Sequence, residues 1–166
     1  MSVNLDTLYE EIASDEGKIL HKYKCSLGHD TIGIGHLVLE NDPEANLPVY
    51  GAYEEVPEDV CITEERCKEL FETDIQEAIE GCQRIYTNWE DLPQEAKHVL
   101  INMCFQLGQN GLSKFKNMNL AVQNKDHRSW AVNMIDSRWA LQTPERARRL
   151  RDRVLTLANK DHYAQR

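Results

Sequence analysis

The sequence has no CxxC pair, no long apolar run and no phosphate-binding glycine loop, and each absence removes a class of function. Its five cysteines, Cys25, Cys61, Cys67, Cys82 and Cys104, are an odd number, which fits no complete disulfide framework. They are expected as reduced thiols, and most as small core hydrophobes. His and Cys residues do not cluster at ligand spacing, so no metal site is expected, and no organic cofactor either. No stretch approaches the roughly 18 apolar residues of a membrane span. The opening residues, MSVNLDTLYEEI, have neither a basic start nor an apolar core, so no secretory signal is expected and the chain reads as soluble. The glycines of Gly33-Ile34-Gly35-His36 lack the spacing of a phosphate loop and open no helix.

What is present fits one domain of 166 residues, 41% hydrophobic and 28% charged, an ordinary balance for a chain that buries a core. The net charge of −9 argues against non-specific nucleic-acid binding. It is unevenly spread. Glu40, Asp42, Glu44, Glu54, Glu55, Glu58 and Asp59 fall in a stretch without a base. From Thr143 onward, Arg146, Arg148, Arg149, Arg151, Arg153, Lys160 and Arg166 outnumber the acids. Both runs read first as solvated surface, although a basic helix can attract an anionic polymer at short range.

Along the chain, Leu5, Leu8, Tyr9 and Ile12 share one helical face, and Gly17 suits the position just past a helix end. Residues 18–38 read as strands joined by tight turns, the first at Ser26–His29. The segment 40–61, with Pro43, Pro48, Gly51 and Pro57, reads as mostly irregular. Thr63 is a good N-cap for a long helix with apolar residues at Cys67, Leu70, Phe71, Ile75, Ala78, Ile79 and Cys82. Pro93 opens the next helix and Gly108 closes it; being apolar on most sides, it is expected to be buried. Shorter helices follow near 113–123 and 126–135, and Thr143-Pro144 marks the start of the last. This order predicts an α+β protein with a small sheet segregated at one end.

Two features suggest chemistry. Asp15 and Glu16 stand at the carboxyl end of the first helix, where the dipole disfavours negative charge by a few tenths to about 1 kcal/mol. The same dipole raises a carboxyl pKa, as a general acid requires. In Thr31-Ile32-Gly33-Ile34-Gly35-His36, a period of two puts Thr31, Gly33 and Gly35 on one face, open to close approach by a flat ligand, although periodicity alone favours a short hairpin with the glycines at its bends.

These segments, Asp15-Glu16-Gly17, Tyr23-Lys24 and Thr31 through Leu37, together resemble the active-site signature of phage-type lysozymes, glycoside hydrolase family 24. The likeness continues through Ile101–Gly108, Ala131-Val132-Asn133, Ser137-Arg138-Trp139 and Gln142-Thr143-Pro144 with Arg146, so that only 40–61 and 83–91 match poorly. The resemblance implies a lysozyme-like fold. A smaller lobe at about 14–62 would be joined by a helix at about 63–82 to a helical lobe of 83–166 plus 1–13, with the active-site cleft between the lobes. It implies a muramidase that cuts the β-1,4 link between N-acetylmuramic acid and N-acetylglucosamine of bacterial peptidoglycan. It also implies a monomer, held in the host cytoplasm until a phage holin or carriage on a particle brings it to the wall.

By the same resemblance, Glu16 would protonate the leaving oxygen while an oxocarbenium-like state develops, and Thr31 would hold the attacking water. Cys25 occupies the position between them, where relatives carry a carboxylate or a cysteine. Three readings of it stay open: a thiolate lowered by Lys24 or an arginine and acting as base or nucleophile, a neutral group orienting water, or a mark of an inactive protein. Asp30 is a fourth candidate, as a replacement carboxylate. His36 would be structural, with Asp74 as its partner, and Arg146 would approach the catalytic glutamate from the last helix. Leu37, Phe105, Gln106 and Asn133 match sugar-contacting positions. Met118 stands where the family has a serine and Leu27 where relatives have an acid, while Trp130 and Trp139 read as core. Two rival functions share the fold: a lytic transglycosylase, and a silent peptidoglycan-binding or phage-tail structural module.

Overall fold

The computed structural model describes residues 2–164; Met1, Gln165 and Arg166, the last base of the C-terminal run, lie outside the described residues. The chain is an α+β protein with a lysozyme-like order of elements. Helix α1 spans Leu5–Glu16 and buries Leu8 and Ile12, while the Tyr9 ring meets Phe71 edge-on at 5.0 Å. Its last turn holds no base, so nothing there offsets the dipole at Asp15 and Glu16. Gly17 then takes a left-handed φ of 80°, and its N–H closes the helix on the Ala13 carbonyl at 2.9 Å.

Strands β1 (Ile19–Lys24), β2 (Asp30–Gly33) and β3 (His36–Leu37) form an antiparallel sheet in that order. Residues 31–36 form a hairpin with glycines at its bend, as the strands-and-turns reading expects. Gly33 (φ 67°) and Gly35 (φ 63°) both adopt left-handed backbone and reverse the chain, pairing Ile32 with His36. Only glycine enters that region without a steric cost, so the two glycines make a turn.

Segment 40–61 holds only short 3₁₀ turns, at Pro43–Asn46 and Glu58–Val60, yet it and the adjoining Ile62 are anchored to β1. The buried Lys22 ammonium donates to the Ala45 carbonyl at 2.8 Å, and the Lys22 carbonyl accepts the Tyr50 N–H at 2.9 Å. His21 Nε2 lies 2.7 Å from the Gly51 carbonyl, and Leu20 O accepts the Ile62 N–H at 2.8 Å. The acids here are not uniformly solvated. Glu44 is only 4% exposed and receives a two-pronged bond from Arg66, Nε to Oε1 at 2.6 Å and Nη2 to Oε2 at 3.3 Å. That guanidinium, the first of its causes, holds the Glu44 carboxyl below its ordinary pKa. A forked, charge-assisted pair of this kind compensates for the lost hydration of a buried carboxylate.

Helix α2, Glu64–Ile85, begins as the sequence suggests: the Thr63 hydroxyl accepts the Arg66 N–H at 3.0 Å. The chain divides within it into two compact units, Leu5–Gln76 and a unit made of Glu77 onward with the few residues before Leu5. In the latter, α3 (Gln94–Ser113) buries every residue from Ala96 to Cys104, and non-helical backbone at Gly108 breaks it where a stop was expected. Its buried polar groups are matched: the His98 ring accepts the Asn4 N–H at 3.0 Å and Lys97 lies over the Trp89 ring at 5.7 Å. Helices α4 (Lys116–Gln123), α5 (His127–Ile135), α6 (Arg138–Gln142) and α7 (Pro144–Ala164) complete this unit. The short α6 was not anticipated, and it changes the part played by Thr143. That hydroxyl donates back to Trp139 O at 3.0 Å and does not cap α7. No helix among the described residues is long and apolar enough to cross a membrane.

His36 fastens the sheet to its surroundings. Nδ1 lies 2.7 Å from Asp74 of α2 and Nε2 lies 2.9 Å from Asp42 of the acidic segment. Burial lowers the imidazole pKa, but the two carboxylates outweigh it and raise it from 6.5 to about 9. Because folding favours the protonated ring, its stabilisation is complete below pH 6.5 and disappears as pH rises through 9. A shift of this size corresponds to at most about 3 kcal/mol. Urea titrations from pH 6 to 9.5 should therefore show the wild type losing stability faster than His36→Gln, and parallel curves would contradict the assignment.

Candidate active site

A groove of about 690 Å³ lies in the unit Leu5–Gln76, and Glu16, Tyr23 and Cys25 line it together with His21, Ala52 and Tyr53. Each arrives by a simple route. Glu16 is the last residue of α1, half-buried and followed at once by the glycine that turns the chain. His21 and Tyr23 lie on β1, whose pairing with β2 is irregular between Ile19 and Tyr23, and Cys25 directly follows the strand. Their place on the strand that leads into Cys25 was the signal that could have added His21 and Tyr23 to the candidate residues. The Tyr23 hydroxyl is pushed above its ordinary pKa first by burial and then by nearby Glu16, Cys25 and Tyr53, so it stays a neutral donor between them.

Gly35 explains how Glu16 is seated. A Cβ built on Gly35 would stand 2.9 Å from Glu16 Oε2 and 3.2 Å from its carboxyl carbon. The close approach left open by this glycine is therefore occupied by the glutamate itself, where the sequence suggested a flat ligand. Its neighbour Gly33 similarly faces the Cys67 sulfur, 3.3 Å from where a Cβ would lie.

Cys25 is half-exposed at the head of the turn that joins β1 to β2. The turn is closed at both ends, Cys25 N–H to His29 O at 2.9 Å and Gly28 N–H to Cys25 O at 2.8 Å. Desolvation pushes the thiol pKa up, but backbone N–H groups of His29, Leu27 and Gly28 and the Thr31 hydroxyl outweigh it and bring the thiol below its ordinary value. The sequence had offered Lys24 or an arginine for this task. Lys24 is engaged elsewhere, in an ion pair with Asp30 at 2.6 Å, because the register sets these two residues opposite one another. That pairing also lowers the Asp30 pKa and commits its carboxylate to lysine. A nest of main-chain N–H groups does for Cys25 what a cationic side chain was expected to do.

Thr31 is buried, and its hydroxyl lies 2.9 Å from the His29 carbonyl as well as within reach of Cys25. One proton cannot serve both acceptors. With Cys25 as thiol the hydroxyl donates to His29 O; with Cys25 as thiolate it can turn to the sulfur. Leu37, at the end of β3, is exposed.

The remaining candidate residues belong to the helical unit. Phe105 and Gln106 are half-buried on α3, and Gln106 Oε1 accepts the Trp139 indole N–H at 2.8 Å. Trp139 is thus a buried residue that fixes one end of the Gln106 amide. Asn133 on α5 turns its NH₂ group to Ser129 O at 2.8 Å, leaving the amide oxygen as its outward-facing group. A depression of about 560 Å³ is lined by Asn133 and Met118 with Phe115, Trp139 and Gln142. Arg146 is buried, its Nε donating to Asn102 Oδ1 at 2.9 Å.

Comparison with known proteins shows the family of the chain. The model of the family described as phage lysozyme matches residues 13–154. Probable T4-type lysozyme 2 of Dictyostelium discoideum is 31% identical over 159 residues, covering 88% of this chain and 92% of its own. Probable T4-type lysozyme 1 of the same organism is 31% identical over 157 residues, with the same coverage. The pre-baseplate central spike protein Gp5 of Enterobacteria phage T4 is 30% identical over 90% of this chain, which corresponds to 28% of that longer protein. The chain belongs to the phage lysozyme family and is a glycoside hydrolase.

Two measurements probe this geometry. Iodoacetamide should alkylate Cys25 with a midpoint below that of an ordinary thiol, near pH 8.5. Replacing Thr31 with Val should move the midpoint up, and an unchanged midpoint would remove the hydroxyl from the account. Gly35→Ala should lower stability by about 1–2 kcal/mol through its left-handed backbone. It should also cut activity on the order of ten- to a hundredfold by displacing Glu16. Full activity in a folded Gly35→Ala protein would show that the carboxyl is not seated there in solution.

Proposed function

We propose that this lysozyme, a muramidase acting on the β-1,4 bond between N-acetylmuramic acid and N-acetylglucosamine in peptidoglycan, uses Glu16 as its acid and Cys25 with Thr31 to activate water. The observation that carries the reading is the common groove of Glu16 and Cys25, with the thiol held below its ordinary pKa. Glu16 gives its proton to the departing glycosidic oxygen as positive charge develops on the sugar ring. The Cys25 thiolate draws a proton from water, and the water oxygen bonds to the anomeric carbon. Thr31 stabilises the thiolate before the transfer and reverts to the His29 carbonyl after it. Tyr23, kept neutral, donates to whichever neighbour is negative.

Sugar contacts are assigned to Leu37, Phe105, Gln106 and Asn133. Trp139 orients the Gln106 amide by its indole bond, so that the NH₂ end is left for a substrate acetamide or hydroxyl. Arg146, held by Asn102, and the His36–Asp74 pair support the site without taking part in bond making. Action as a monomer and release to the wall through a holin belong to the same reading.

Glu16→Gln should abolish clearing of cell walls by at least about a hundredfold with little loss of stability. Near-normal activity would refute the assignment. Among Cys25 variants, Asp should retain activity and Ala should lose it. An alanine variant as active as wild type would show that the thiol has no chemical role. Product ends test the reaction class: new reducing sugars are expected, and anhydro sugars would make the protein a lytic transglycosylase.

A further inference from the structure

We propose that Tyr53 forms an additional saccharide subsite beside Glu16 and Cys25, stacking its ring on an N-acetylated sugar of the glycan strand. The proposal deepens the muramidase reading and rests on it. Tyr53 is 97% exposed, the most solvent-accessible large side chain among the exposed hydrophobics of the described residues. A single exposed aromatic residue is commonplace, but this one lines the same 690 Å³ groove as the proposed acid. Its proximity also helps to raise the pKa of Tyr23, the neutral donor that faces Glu16 and Cys25.

The loop carrying it is fixed. The Tyr50 N–H reaches Lys22 O at 2.9 Å, and Val49 bridges to Lys22 as a parallel partner. His21 bonds the Gly51 carbonyl at 2.7 Å, and its ring meets Tyr50 edge-on at 6.3 Å. The loop then closes on itself, Gly51 N–H to Glu54 Oε2 at 2.8 Å and Glu54 N–H to Gly51 O at 3.1 Å. A ring held out on a braced turn presents apolar area without the entropic cost of ordering a mobile loop. Tyrosine suits such a platform, being broad, amphipathic and limited to two side-chain torsions. One face of a pyranose ring presents C–H groups to it, while the ring hydroxyls and acetamide remain free for polar partners. The neighbouring Glu54 has one carboxylate oxygen held by the Gly51 N–H, which fixes the turn beside the ring.

Stacking of this kind corresponds to about five- to tenfold in affinity. Kinetics on peptide-free murein glycans of increasing length provide the test, with wild type, Tyr53→Ala and Tyr53→Phe. For the longer glycans, Tyr53→Ala should raise KM about five- to tenfold with kcat within a factor of two, and Tyr53→Phe should behave as wild type. On the shortest glycan cleaved, the three proteins should converge. Equal KM values for Tyr53→Ala and wild type at every length would overturn the proposal. So would a Tyr53→Phe protein as impaired as Tyr53→Ala, since that would make the hydroxyl and not the ring the binding group. A defect confined to peptide-bearing murein would assign the loop to stem peptides and equally overturn it. Calorimetric titration of the same glycans into Glu16→Gln, with and without Tyr53→Ala, keeps the two readings separable. Loss of binding on removing Tyr53 supports the subsite even if the wild type cleaves nothing, and unchanged binding refutes it even if the wild type is an active muramidase.

Discussion

The contact between a helix-terminal carboxylate and a glycine without a side chain governs the architecture of this active site. Glu16 ends α1, Gly17 turns the chain away, and Gly35 in the β2–β3 turn leaves room for the carboxyl. A methyl group at Gly35 would meet the carboxylate oxygen inside van der Waals distance, so hairpin and helix must be positioned together. The hairpin is held in turn by His36, clamped between Asp74 on α2 and Asp42 in the acidic segment. Seating one carboxyl group therefore ties together helix, sheet and loop.

The second constraint concerns the Cys25 thiol, the group proposed to activate water. A carboxylate at this position would be ionised without help. A thiol is mostly protonated at neutral pH unless its surroundings favour the anion. Here the turn after β1, with its backbone N–H groups and the nearby Thr31 hydroxyl, lowers the thiol pKa against desolvation. The residues nearest in charge, Lys24 and Asp30, neutralise one another instead. The cysteine thus depends on backbone conformation more than on any single cation, which makes the turn geometry part of the chemistry.

Much of the fold was legible because it rests on local rules. Gly17 at a helix end, Thr63 as a cap, Pro93 before a buried helix and the break at Gly108 all appear where residue chemistry puts them. The errors arose where a tertiary partner overrides a local pattern. Period two in 31–36 left a glycine face for a flat ligand, but at Gly35 the Glu16 carboxyl fills that space. Thr143 looked like a capping side chain, but an unforeseen helix upstream supplied a carbonyl for its hydroxyl. The acids of 40–61 looked solvated, and only distant Arg66 and His36 make Glu44 and Asp42 interior partners. For the proposed site, the family resemblance pointed to Glu16, Cys25 and Thr31. Tyr23 and His21 needed the register of β1, and Tyr53 needed a loop whose path no short-range pattern dictates.

The anchoring of residues 40–62 on β1 has an evolutionary consequence. Most of its attachments use main-chain groups on one side of the contact or both, at Ala45, Tyr50, Gly51 and Ile62. Bonds to amide and carbonyl groups are indifferent to which side chain is carried. Mutation can therefore repaint the outer wall of this enzyme while the scaffold beneath keeps its shape, giving lineages a route to cell walls that differ in decoration.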